Sequence, residues 1–143
     1  MSKPFHVGIV VGDFHRKLAE VMVASAQAEA VRLGVDVPLV VQVPGSYEVP
    51  LVADALLARE SIDALVVLGY IERGETLHGE VMGHVVHQTL IHLQLQHKKP
   101  IGLGIIGPGA TLEQAQVRME SYAAAALRAA VRSLEVLASV GAR

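Results

Sequence analysis

The chain has 143 residues, 52% apolar and 18% charged, with a formal net charge of −2 and no cysteine. That length suits one domain, 1–143, around one core. The lack of cysteine excludes disulfides, thiolate metal sites and cysteine nucleophiles, and fits a cytoplasmic location. Near-neutral charge, two Phe and three Tyr leave neither the basic footprint nor the stacking platforms of a nucleic-acid binder. No apolar run approaches a membrane span, and Met1-Ser-Lys-Pro-Phe-His leads straight into strand-like sequence, so no cleavable leader is expected. A surface this short of charge predicts that copies of the chain cover part of one another.

Phe5 to Val11 reads as a buried strand, rich in β-branched residues and ended by Gly12. Arg16 to Leu33 reads as a helix. Leu18, Val21, Met22, Ala26, Ala30 and Leu33 recur at three- and four-residue steps, and Gly34 is its terminator. Val35 to Val43 reads as a second strand, placed at a sheet edge because Pro38 has no N–H for a ladder. After the Pro44-Gly45 turn a helix is expected from about Ser46 to about Glu60, with Pro50 in its first turn and Val49, Val52, Ala53, Leu56 and Leu57 inward. Ala64 to Leu68 is the expected third strand, followed by a loop and a helix from Val81 to about His97 that Pro100 stops. Ile101 to Ile106 is the fourth strand and Gly107-Pro108-Gly109 a loop. Thr111 with Gln114 forms a capping-box pattern opening an Ala-rich helix to about Val140.

Regular β-α alternation predicts an α/β fold, a parallel sheet with helices on both faces and right-handed crossovers. Ligands in such sheets bind beyond the carboxyl ends of the strands. The loops there are 12–15, 44–48, 69–78 and 107–110, and they hold the unusual residues.

Gly74, Glu75 and Thr76 form a small turn before a helix, able to offer backbone N–H groups, a hydroxyl and the helix dipole to an anion. Many helix starts share that pattern, and neither a Gly-x-Gly-x-x-Gly nor a Walker spacing is present. His78 stands two residues on, and an imidazole, titrating near pH ~6.5 as a residue type, both gives and takes protons at neutral pH. Phe14 is either core filler or a stacking face for a planar ligand. Glu48 reads first as a helix-dipole partner and second as an acceptor for ligand hydroxyls. Arg118 is a surface ion-pair residue or a phosphate clamp. Ser46 lacks the company of a nucleophile. His84 and His87 lie a turn apart, but no third ligand accompanies them at a metal-motif spacing, so no metal site is expected.

Three motifs in register resemble the lumazine synthase family: Val43-Pro-Gly-Ser-Tyr-Glu-Val-Pro50, Gly69-Tyr-Ile-Glu-Arg-Gly-Glu-Thr-Leu-His78 and Leu112-Glu-Gln-Ala-Gln-Val-Arg118. The Phe14 loop agrees with them, and Gly104 to Ala110 is similar to the archaeal-type branch. The resemblance implies a three-layer sandwich, a four-stranded parallel sheet flanked by helices (flavodoxin-like), assembled as pentamers and in some members as a sixty-subunit icosahedral shell. It implies condensation of 5-amino-6-(D-ribitylamino)uracil with 3,4-dihydroxy-2-butanone 4-phosphate to 6,7-dimethyl-8-ribityllumazine, phosphate and water, a step of riboflavin biosynthesis, with no metal or organic cofactor.

Carried over by position, the resemblance implies that Phe14 stacks on the pyrimidine, while Ser46, Tyr47 and Glu48 hold the ribityl chain and ring edge. Tyr70, Ile71 and Glu72 line the pyrimidine pocket, and Leu103 falls where the family has an apolar residue from a neighbouring subunit. Gly74, Glu75, Thr76 and Arg118 hold the phosphate, and His78 is the acid/base. Three positions depart from the pattern: His15 for the usual Asn, Gly79 for a frequent Phe, and Ala126 where many bacterial members carry a Lys near the phosphate. The same fold also accommodates a non-catalytic flavin- or lumazine-binding shell protein and an archaeal-type riboflavin synthase. The first has no need of His78 and Arg118, and the intact Gly-Glu-Thr-x-His segment argues against the second. A generic flavodoxin-like module comes last, because the acidic cluster of a phospho-receiver is missing.

Overall fold

Four largely apolar runs build the centre of the molecule. In the computed structural model, which describes residues 3–141, they are β1 (Val7–Gly12), β2 (Val40–Val43), β3 (Ala64–Glu72) and β4 (Ile101–Ala110). The expectation about the chain's start involves Met1 and Ser2, which lie outside the described residues. The strands form one parallel sheet in the order β2-β1-β3-β4. Helices α1 (Arg16–Leu33), α2 (Val49–Leu57), α3 (His78–His97) and α4 (Leu112–Ser139) connect and follow them, so the alternation and the layered α/β architecture are as expected.

Side chains alternate along each strand, and the two faces are therefore two half-cores. Val7, Ile9, Val11, Ala64, Val66 and Leu68 pack on α1 and α4, with Met22, Ala26, Leu127 and Leu134 among the partners. Val10, Leu65, Val67 and Ile105 pack on α2 and α3, against Ala53, Leu57, Val86 and Leu90. The α4 side is built from small residues because the helix lies almost on the strand. A Cβ added at Gly102 would fall 2.0 Å from the Ala126 carbonyl oxygen.

Several element ends differ from expectation for physical reasons. The second strand is shortened to Val40–Val43, and around Pro38 only a single bridge, His6 to Asp36, precedes it; its edge position holds. The 46–60 helix divides into a 3-10 turn, Ser46–Glu48, and α2, which stops at Leu57. There the Lys99 ammonium donates to the Leu57 and Arg59 carbonyls, 2.8 Å each, a cation on a helix C-terminus. The third strand runs four residues beyond Leu68 to Glu72. The 107–110 stretch is a continuation of β4 rather than a loop, with a cis Gly107–Pro108 bond. The two strand ends support each other, since Glu72 pairs with Ala110 after a register shift. The capping box is present in both halves, Gln114 N donating to Thr111 Oγ1 and Thr111 N to Gln114 Oε1.

One structural device has no signature in the periodicity. Glu29, only 7% exposed, accepts from Arg32 on its own helix and from Arg128 on α4, the latter at 2.6 Å. Hydrogen bonds from both guanidinium groups lower its carboxyl from the ordinary 4.5 to about 2. A lowered carboxyl contributes stability that is present above its ordinary value and is lost as pH falls toward 2.

Three outcomes are expected of this scaffold. Between pH 5 and pH 2 the melting temperature of the wild type is expected to fall a few degrees further than that of Glu29→Gln, the gap closing near pH 2; parallel curves would contradict the ion-pair account. Gly102→Ala is expected to cost about 2 kcal/mol or more by urea unfolding, because the obstacle is backbone. Gly74→Ala, with nothing within 4 Å of the added carbon, is expected to cost under about 0.5 kcal/mol.

Candidate active site

Three chain segments leave the carboxyl ends of β1, β2 and β3 side by side, and a cleft of about 330 Å³ opens among them. Gly12 and Phe14 come from the first, Gly45 and Ser46 from the second, and Tyr70, Ile71, Glu72, Gly74 and Thr76 from the third. His78, Gly79 and Met82 of α3 complete the lining. A second depression of about 300 Å³ adjoins it, shaped by residues 72–77, Gly79 and Glu80 with Pro108 and Gly109. Glu72, Gly74, Thr76 and Gly79 border both, so the two spaces share one wall.

The strand extension explains why these side chains meet. Tyr70 continues the alternation on the α1 side and Ile71 on the α2 side, and Glu72 emerges exposed at the strand's end. The Tyr70 hydroxyl donates to the Ala110 carbonyl at 2.8 Å, and Arg73 N donates to the same oxygen at 3.0 Å. The top of β3 is thereby tied to the top of β4. Burial, with the Glu72 charge nearby, pushes the Tyr70 phenol above its ordinary value, so the hydroxyl stays a donor.

His78 is the first residue of α3 rather than part of the preceding loop. Its N–H donates to the Thr76 hydroxyl at 3.3 Å, which leaves the hydroxyl's own proton available to an anion. The turn and the helix's first residues present N–H groups and the positive end of the dipole together. The Tyr47 ring meets the His78 ring edge-on at 6.0 Å between centroids. Gly79 has a clear reason: a Cβ there would come 3.2 Å from the Glu72 carbonyl oxygen and 3.3 Å from Ile71 Cγ2. The missing side chain lets the start of α3 sit directly on the end of β3, which places His78 at the cleft wall.

Eight of the sequence candidates, Phe14, Ser46, Tyr70, Ile71, Glu72, Gly74, Thr76 and His78, border one space. Phe14 is not core filler, being 77% exposed. Glu75 borders the adjoining depression only. Tyr47 and Glu48 stand exposed on the 3-10 turn, outside both linings. Leu103 and Arg118 line neither space of their own chain. Leu103 packs against the core on the α2/α3 side, and the Arg118 guanidinium bonds its own helix at the Gln114 carbonyl, 3.0 Å.

Ala126, one of the three departures, is buried beneath β4 against Gly102 and Gly104 and borders neither space of its own chain. Gly12, Gly45 and Met82 were not legible as site residues. Gly12 and Gly45 lie side by side, a Cβ built at Gly12 falling 3.4 Å, an ordinary contact, from the Gly45 backbone, and the sequence hint is that each lies in an expected loop at the carboxyl end of a strand. His87 Nδ1 lies 2.7 Å from the Gly83 carbonyl within its own helix, and among the described residues no group of three or more His, Asp or Glu is placed to hold a metal ion.

With this geometry in hand, comparison with known proteins is specific. A family model described as 6,7-dimethyl-8-ribityllumazine synthase matches residues 4–138. A protein of Metallosphaera sedula named 6,7-dimethyl-8-ribityllumazine synthase is 43% identical over 126 residues, 88% of this chain and 83% of its own. A relative of that name from Saccharolobus solfataricus is 39% identical over 134 residues, covering 94% and 87%. A third, from Staphylothermus marinus, is 40% identical over 128 residues, covering 90% and 85%. The match spans all four strands and every segment that shapes the cleft, and on it the chain belongs to the 6,7-dimethyl-8-ribityllumazine synthase family.

Proposed function

We propose that this chain condenses 5-amino-6-(D-ribitylamino)uracil with 3,4-dihydroxy-2-butanone 4-phosphate, releasing phosphate and water and forming 6,7-dimethyl-8-ribityllumazine. The observation that carries the reading is that one cleft gathers an exposed aromatic ring, a strand edge, an anion turn and a histidine. Phe14 stacks on the pyrimidine, while the end of β3, Tyr70 to Glu72, reads the ring's polar edge. Ser46, buried at the mouth of β2, and the exposed Tyr47 and Glu48 hold the ribityl hydroxyls. Gly74, Glu75 and Thr76, at the start of α3, take the phosphate.

The chemistry suits these groups. The ring amine attacks the ketone, and water leaves to give an imine. Phosphate is then eliminated, and the ribityl-bearing nitrogen closes the second ring with loss of a further water. Each step moves a proton, and His78 beside the anion turn can serve them in sequence. Amine and ketone supply their own nucleophile and electrophile, so alignment accounts for much of the acceleration. The reading calls on no organic cofactor or metal.

We infer further that the active form is a homo-oligomer, a pentamer and in its largest form an icosahedral shell, in the cytoplasm. Support comes from large apolar side chains left at the surface, among them Leu51 at 79% and Val117 at 81% exposed. No helix of the described residues is long and apolar enough to cross a membrane. In such an assembly Leu103 and Arg118, which line no cleft of their own chain, serve the cleft of the adjacent copy, Arg118 closing on the phosphate with its guanidinium fork.

Variant kinetics test these roles. His78→Ala is expected to slow turnover about 10²-fold without abolishing it, with pyrimidine binding and assembly retained; complete loss of turnover in an intact, ligand-binding assembly would contradict an alignment-driven reaction. Arg118→Ala is expected to raise KM for the butanone phosphate roughly tenfold, leaving KM for the pyrimidine within about twofold.

A further inference from the structure

His15 stands at the N-terminal boundary of α1 with φ −105° and ψ 88°, and its side chain caps nothing. Its ring is otherwise engaged. It meets the Phe14 ring edge-on, 5.1 Å between centroids at 75°, and the Tyr70 ring at 4.9 Å and 46°. Tyr70 is pinned by its bond to Ala110, so the three rings form a fixed support with Phe14 at its outer end. Phe14 needs such support, because it is largely exposed.

The polar end of His15 faces the site as well. Nε2 is closed off from solvent and makes no hydrogen bond, yet it lies 3.5 Å from a carboxylate oxygen of Glu72. A buried nitrogen without a partner is costly. Here the remedy is close at hand, since the Glu72 side chain is half exposed and free to rotate onto it. The polar group placed near this nitrogen is the Glu72 carboxylate, from the end of β3.

We propose that His15 is a positioning residue for this site, seating the Phe14 ring and holding one oxygen of Glu72 so that the other faces the cleft. That arrangement selects a planar heterocycle with N–H groups at its edge, which stacks on Phe14 and donates to Glu72. An amide side chain at this position supplies the hydrogen bond to Glu72 but not the ring beneath Phe14. The proposal rests on the reading of the cleft as the pyrimidine site.

Steady-state kinetics on the assembled enzyme with both substrates, for wild type, His15→Ala, His15→Asn, Glu72→Gln and the His15→Ala/Glu72→Gln double variant, tests it. His15→Ala is expected to raise KM for the aminouracil about tenfold, with a smaller change in kcat and in KM for the butanone phosphate. His15→Asn is expected to recover part of that loss, and the double variant to be no worse than about twofold beyond His15→Ala. Melting temperatures of the variants check that the fold is kept. An unchanged aminouracil KM in His15→Ala, an equal rise in both KM values, or multiplying effects of the two substitutions would overturn the assignment. Should wild type itself make no lumazine, the reading of the cleft falls and this proposal with it. If wild type makes lumazine and His15→Ala matches it, only the role of His15 falls.

Discussion

The pairing of the upper ends of β3 and β4 is the constraint on which the site depends. Within the sheet, β3 is a buried strand with one side chain to each face in turn, and its business there is packing. Above the core it continues only because β4 continues beside it. Glu72 is in register with Ala110, and one carbonyl, that of Ala110, accepts from both the Tyr70 hydroxyl and the Arg73 amide. Without that support residues 69–72 would be an ordinary loop, and Tyr70, Ile71 and Glu72 would have no fixed directions. Because they do, the end of β3, the turn at Gly74 to Thr76 and the first residue of α3 follow one another from a fixed start.

Glycines make the rest of the geometry possible by bringing backbone close to backbone. Gly102 lets α4 lie against β4, and Gly79 lets the start of α3 rest on the end of β3. The first contact sets the depth of the half-core under α1 and α4. The second sets where the imidazole of His78 stands relative to Thr76 and the cleft. A site for joining two substrates needs such placement more than strongly activated groups. In the proposed reaction the acid/base is one exposed histidine at a helix start and the ring-stacking group one exposed phenylalanine, each useful only for where it is held.

Much of this was legible in the sequence, and what was not has identifiable causes. The four strands, the edge position of the second, most of each apolar helix stripe and the Thr111–Gln114 cap rest on local rules, and they stand in the structure; Pro38 falls outside the shortened strand and Leu33, at the end of the α1 stripe, is exposed. Strand ends were misjudged where tertiary pairing overrides local signals. Gly107-Pro108-Gly109 carries the composition of a loop, but the neighbouring strand end turns it into the last part of β4. His78 was expected just outside a helix that it opens. Eight site residues converge because they sit on motifs at the carboxyl ends of three strands, a topological fact that alternation predicts. Gly12, Gly45 and Met82 were missed because bare backbone and a plain helix side chain leave no chemical mark. Glu29 was missed because its partner Arg128 is far away in sequence and lies on another helix.

Lumazine formation by the wild-type protein tests the central claim most directly. The purified protein is mixed with 5-amino-6-(D-ribitylamino)uracil and 3,4-dihydroxy-2-butanone 4-phosphate, and lumazine absorbance and free phosphate are followed together. The account predicts that both rise catalytically and in equal amounts, with neither rising faster than in the protein-free mixture when one substrate is withheld. Tight binding of the pyrimidine with no product above that background would contradict it and identify the cleft as a binding site alone.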